Sequence, residues 1–178
     1  MELIVLISLS FLKGRDGSFK LGKDSVFIMK YFAYGSNMNP ERMKERGIIF
    51  SKREYGILEG FRLAFNKIAS RNPKEGYANI TEDKNSKVEG ILYEINDSDI
   101  EKLDYYEGYP EHYLKRKVNV KLKDGKVVSA ITYIANPKKT SPRLKPTKEY
   151  LVHLIKGSDL LSSEYKNWLK NIETLQKI

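Results

Sequence analysis

Between Phe50 and Ala135 the chain offers one β-patterned run after another, with a single helical stretch among them. The clearest pair is Tyr113 to Leu122, alternating in KVNVKL, and Val127 to Ala135. The turn Lys123-Asp124-Gly125-Lys126 joins them as a hairpin. Upstream, Phe50 to Ile57 and Phe61 to Ile68 read as strands around Glu59-Gly60. Tyr77 to Thr81 starts another after the turn-rich Asn72 to Gly76, and Val88 to Ile95 is the plainest strand of the middle region. A doubly wound parallel sheet needs a helix after nearly every strand, so this order argues against it. The pattern predicts an α+β protein, built as a small barrel or strongly curved sheet with flanking helices.

The helices fall at recognisable places. Lys30 to Tyr34 is an aromatic, apolar strand that Gly35-Ser36-Asn37 interrupts. Asn39 before Pro40 reads as an N-cap and first helical residue, predicting a short helix over Glu41 to Arg46 that ends at Gly47. Ser98 and Glu101 have capping-box spacing, predicting a helix from Ser98 to Tyr105 that stops at Gly108 and Pro110. After a polar linker, Thr147 to Ile155 and Ser163 to Ile172 repeat with helical period, within a C-terminal helical segment 147–175. A chain of 178 residues suits one domain, here residues 29–178. Residues 1–28 read as an N-terminal extension, or else Glu2 to Leu12 forms an extra edge strand or short helix.

Several function classes drop out. With no cysteine, disulfides, thiolate metal sites and a cysteine nucleophile are excluded, and two histidines cannot build a histidine-rich metal centre. No metal is expected. The glycines form neither a phosphate-binding loop nor a dinucleotide fingerprint, so no nucleotide is implied. The formal charge of +9 invites a nucleic-acid partner, but the densest basic runs, Lys115 to Lys117 and Lys138-Lys139, are short and lack a reading helix. A solvated lysine-rich surface is the favoured reading. The opening MELIVLISLSFL lacks a basic n-region and a cleavage site, and is shorter than the roughly 20 apolar residues that span a bilayer. A cytoplasmic protein without membrane attachment is expected.

Two features could carry chemistry. Gly35, within Tyr34-Gly35-Ser36-Asn37, lets successive amides after a strand form an anion-holding concavity, although the same residues also make ordinary turns. Glu107 stands among Tyr105, Tyr106 and Tyr109, where loss of solvation would raise a carboxylate's pKa toward the range of proton transfer. An exposed helix-end acid before a capping glycine fits it as well. Asp104 and Glu111 are rival carboxylates. Ser36 as a nucleophile would need a base such as His112, and its surroundings lack the second glycine of a nucleophile elbow.

Together, YFAYGSNM at Tyr31 to Met38, VEGILYEI at Val88 to Ile95 and LDYYEGYPEHYLKRKV at Leu103 to Val118 resemble the gamma-glutamylcyclotransferase family and its AIG2-like relatives. The resemblance runs from about Lys30 to Asn136, and Tyr150 to Leu169 looks like the longer members; the first 28 residues match nothing in the family. It implies a small mixed β barrel. It also implies that Tyr34, Gly35, Ser36 and Asn37 form the substrate loop and that Glu107 is the acid/base. Tyr113 and Tyr133 would line the pocket, and Asn79 would face it. The implied reaction closes 5-oxoproline from a γ-glutamyl compound without a cofactor. Its alternative is a non-catalytic binding module of the same fold that uses the basic surface on nucleic acid.

Overall fold

A computed structural model describes residues 5–13 and 19–176. Five strands close on themselves: β2 (Phe19–Ala33), β4 (Gly76–Asn96), β3 (Phe50–Ile68), β5 (Tyr113–Leu122) and β6 (Val127–Ala135). Neighbours along this path are antiparallel, while the closing seam, Tyr31 against Ile131, is parallel. The result is the mixed barrel expected. At the seam the Thr132 hydroxyl donates to the Phe32 carbonyl at 2.8 Å, buried between the strands. β1 (Val5–Lys13) pairs antiparallel with the first part of β2, from Val5 opposite Phe27 to Lys13 opposite Phe19. Residues 1–4 and 14–18 of the expected extension lie outside the described residues.

β2 shows why the barrel forms. Its alternate residues Tyr31 and Ala33 point to one face and Phe32 to the other, and all are buried. Phe32 joins Leu58, Val88, Leu92 and Val120 in one apolar cluster. Tyr31 joins the opposite cluster, which takes in Met43, Leu103, Leu151, Leu154 and Leu169 from the helices. Those helices are α1 (Pro40–Glu45), α2 (Ile100–Glu107), α3 (Lys148–Lys156) and α4 (Ser163–Lys170). Burying both faces explains why these strands hold apolar residues in runs as well as in alternation.

The interruptions read from the sequence at Glu59-Gly60 and after Thr81 are bulges, not strand ends. β3 runs through Gly60, whose φ of +80° suits a residue without Cβ. Opposite it, Asp83 accepts from Asn85 N at 3.2 Å and Ser86 Oγ at 2.9 Å. These shifts bend the long β3–β4 ribbon around the barrel. The capping box at Ser98 does not form either. A 3-10 turn occupies Asp97–Asp99, Asp97 accepts from Ser98 N at 2.8 Å, and α2 begins at Ile100. Helix α4 ends at Lys170, short of the expected segment, where the chain turns and Leu175 N donates to Pro146 O at 2.8 Å.

Helix α1 follows expectation closely. Asn39 Oδ1 accepts from Glu41 N at 3.1 Å and Pro40 takes the first helical position. Asn39→Ala is expected to lower stability by about 1 kcal/mol. A shift in the urea midpoint, at unchanged m-value, measures it.

Candidate active site

The end of β2 enters a 3-10 turn at Ser36–Met38, in which Met38 N donates to Gly35 O at 3.0 Å. Met38 N is thus the first amide the turn itself employs. The amides of Gly35, Ser36 and Asn37 precede it, as do the unpaired donors at any helix start. The turn is held from behind at one atom: the Met38 carbonyl accepts from Tyr93 Oη at 2.9 Å and from Arg53 Nη2 at 3.4 Å. Arg53 is itself fixed by two 2.7 Å bonds to Asp159. Gly157, capping α3, lies against Met38 so closely that an added Cβ would come within 2.2 Å of its carbonyl carbon.

Glu107 is the last residue of α2, and Gly108 at φ +62° turns the chain away behind it. Asn37 Nδ2 donates to Glu107 Oε1 at 2.9 Å and to the Tyr31 hydroxyl at 2.8 Å. Arg46 Nη1, just past α1, reaches the same Oε1 at 3.0 Å and Asn37 Oδ1 at 2.8 Å. The guanidinium also lies 4.8 Å from the Tyr106 ring centre. The neighbouring Tyr105, Tyr106 and Tyr109 are exposed, and the first two border the same cavity as Glu107. Its partners are Asn37 and Arg46. The rival Asp104 is tied to Lys115 at 2.8 Å and accepts from Tyr133 Oη at 2.6 Å, while Glu111 is exposed.

The tyrosines are structural members of the same wall. Tyr34 Oη donates to the Tyr133 carbonyl, and Tyr113 Oη donates to Ala78 O at 2.9 Å. Tyr150 Oη accepts from Ala78 N at 3.0 Å. Burial, reinforced by the negative charge of Glu107, pushes the Tyr31 and Tyr34 phenols up and Tyr150 up to about 12, so they remain neutral. Asn79 departs from expectation. Its amide spans β3 and β6, donating to Asn66 Oδ1 at 2.9 Å and accepting from Ala135 N at 2.8 Å, and it is not among the cavity-lining residues. His112 Nδ1, the base considered for Ser36, pairs instead with Lys67 Nζ at 3.2 Å.

One cavity of about 630 Å³ brings together Tyr34, Gly35, Ser36, Asn37, Glu107, Tyr113 and Tyr133. The sequence reading missed Tyr31, Arg42, Arg46, Lys67, Tyr77 and Tyr150 on its wall. The spacing of Arg46 one turn after Arg42 was the available signal for the two arginines. Among the described residues, no three His, Asp or Glu side chains converge as a metal site would need, and no helix is long and apolar enough to cross a membrane.

The closed mixed barrel with its cavity at a strand-to-helix turn is the fold of a solved gamma-glutamyl cyclotransferase. That structure aligns at TM-score 0.74 and 26% identity, over 84% of this chain and 90% of that one. YkqA from Bacillus subtilis shares the fold at TM-score 0.73 and 21% identity, over 96% of this chain and 72% of its own. The chain belongs to the gamma-glutamyl cyclotransferase, AIG2-like family, whose profile matches residues 31–152. Gamma-glutamylcyclotransferases of Mus musculus and Homo sapiens are each 28% identical over 149 residues, spanning 80% of this chain and 78% of theirs.

Proposed function

We propose that this protein is a γ-glutamyl cyclotransferase in which Glu107 moves the protons and the turn at Gly35 to Asn37 holds charge. The observation that carries this reading is the 2.9 Å bond from Asn37 to Glu107, which couples loop and carboxylate inside one cavity. A γ-glutamyl amide carries its own nucleophile. Its α-amine attacks the γ-carbonyl, a five-membered lactam closes, and the amide C–N bond breaks to release an amine. The site must take a proton from the α-ammonium, stabilise the tetrahedral oxyanion and protonate the departing nitrogen.

Asn37 and Arg46 both bind Glu107 Oε1, and the mechanism assigns the proton transfers to Oε2. One carboxylate then serves both transfers in sequence. Amides of Gly35, Ser36 and Asn37 receive the oxyanion or the substrate α-carboxylate. Holding the substrate curled supplies about 7–11 kcal/mol of the barrier reduction through intramolecular positioning. Tyr34, Tyr113 and Tyr133 shape the wall by bonding backbone carbonyls and Asp104, and Asn79 supports it from outside the cavity.

The alternative, a non-catalytic module using its basic surface, has less behind it. In the densest basic run Lys115 pairs with Asp104 and Arg116 with Glu82, both at 2.8 Å, so that surface is partly neutralised. A panel of γ-glutamyl amino acids, γ-glutamylamines and γ-glutamyl peptides, assayed for 5-oxoproline release, tests the proposal. Release from at least one class is expected. Salt-dependent nucleic-acid binding with no lactam from any member would reverse the choice.

A further inference from the structure

Lys67 is a buried cation in the cavity wall that, like Arg42 and the rim residue Arg71, the proposed chemistry leaves unused. The residue is 2% exposed, and its ammonium meets neutral acceptors: Ile68 O at 2.7 Å and His112 Nδ1 at 3.2 Å. The rings of Tyr77 and Tyr113 stand 5.8 and 5.6 Å away. Among the described residues it forms no ion pair, whereas Arg46 in the same cavity is committed to Glu107 and Asn37. A buried ammonium without a counter-ion is costly to keep charged. Burial accordingly pulls the Lys67 pKa down, against the opposing attraction of Glu107. Burial and the nearby Lys67 charge also lower the pKa of His112, which keeps the imidazole neutral and able to accept from Lys67.

An anion on a bound ligand would supply the missing partner, and its place relative to the reacting atoms narrows which anion. The α-ammonium must reach Glu107, and the substrate α-carboxylate sits on the same carbon, so both stay near the Gly35–Asn37 turn. Lys67 instead closes β3, and the next cavity residues along the chain, Ser70 and Arg71, are exposed at the rim. A substrate running from the turn to that rim would carry its departing half past Lys67. We propose that Lys67 is a specificity-determining residue that pairs with a carboxylate on the departing group, a proposal that rests on the cyclotransferase reading above. It favours γ-glutamyl amino acids over γ-glutamylamines.

γ-Glutamylalanine and γ-glutamylethylamide differ only by that carboxylate and share the same glutamyl unit. The wild-type protein is expected to prefer the alanine compound by about 10- to 100-fold in kcat/KM, chiefly through KM, as suits one charged hydrogen bond. Lys67→Met should bring the ratio of the two rates near one, and Lys67→Arg should retain part of it. A merely structural lysine would slow both substrates and leave their ratio intact, and that result overturns the assignment. So does a wild-type protein with no preference, a measurement that does not depend on any variant folding. Release of 5-oxoproline from neither compound nor any other γ-glutamyl donor would instead sink the cyclotransferase reading, and the Lys67 proposal with it.

Discussion

Glu107→Gln is expected to fold normally and to lose about 10³- to 10⁴-fold in the rate of 5-oxoproline release, the scale of one general acid/base. The amide nearly matches the carboxylate in size and can still accept from Asn37 Nδ2 and Arg46 Nη1, which now bind Oε1 at 2.9 and 3.0 Å. What it cannot do is take up the α-ammonium proton and return it to the leaving nitrogen. Because the proposed mechanism gives Glu107 both transfers, the loss belongs in kcat, with KM little altered. Turnover measured beside thermal unfolding separates chemistry from folding. An active Gln variant would remove Glu107 from the mechanism.

Gly157→Ala is expected to cost about 3 kcal/mol of stability, at the high end for overpacking. Its new Cβ would sit 2.2 Å from Met38 C and 2.3 Å from Asn39 N, and backbone atoms cannot swing aside as a side chain does. The residue's φ of −85° is ordinary, so the effect is steric and not conformational. Relief requires moving the Ser36–Met38 turn, and kcat/KM should fall with stability even though Gly157 touches no substrate. Chemical denaturation and steady-state kinetics on one preparation test both halves. An Ala variant of wild-type stability would contradict the packing of α3 on the turn.

What could be read from sequence tracks how local each interaction is. The Asn39-Pro40 helix start and the hairpin from Tyr113 to Ala135 depend on residues close in the chain, and both form as expected. Glu107 and Gly108 were recognisable as a helix end for the same reason. The continuity of β3 and β4 was not, because Gly60 and the residues around Asp83 imitate strand ends when the partner strand is unknown. Ser98 had the right spacing for a cap, yet the 3-10 turn at Asp97–Asp99 displaced the helix start by two residues.

The site divides in the same way. The loop and the glutamate were named because their types and spacing resemble a known motif, and the fold brings them within 2.9 Å. Arg46 and Lys67 escaped notice because long cationic side chains are usually solvated, and only tertiary packing turns these two inward. Asn79 shows the converse. A strand position indicates a face of the sheet, but the side chain spends its hydrogen bonds on Asn66 and Ala135.

The parallel seam sets how much of the chain must be made before the cavity can assemble. It joins residues 100 apart, Phe32 and Thr132, and Tyr150 reaches back 72 residues to Ala78 at the cavity wall. Contacts between such distant parts of a chain form late and slowly. During synthesis the turn, the glutamate and the strand that closes the barrel leave the ribosome one after another, and a nascent chain stopped before α3 would hold every proposed catalytic group and still lack an assembled pocket. The cavity is therefore assembled only once α3 has been synthesised.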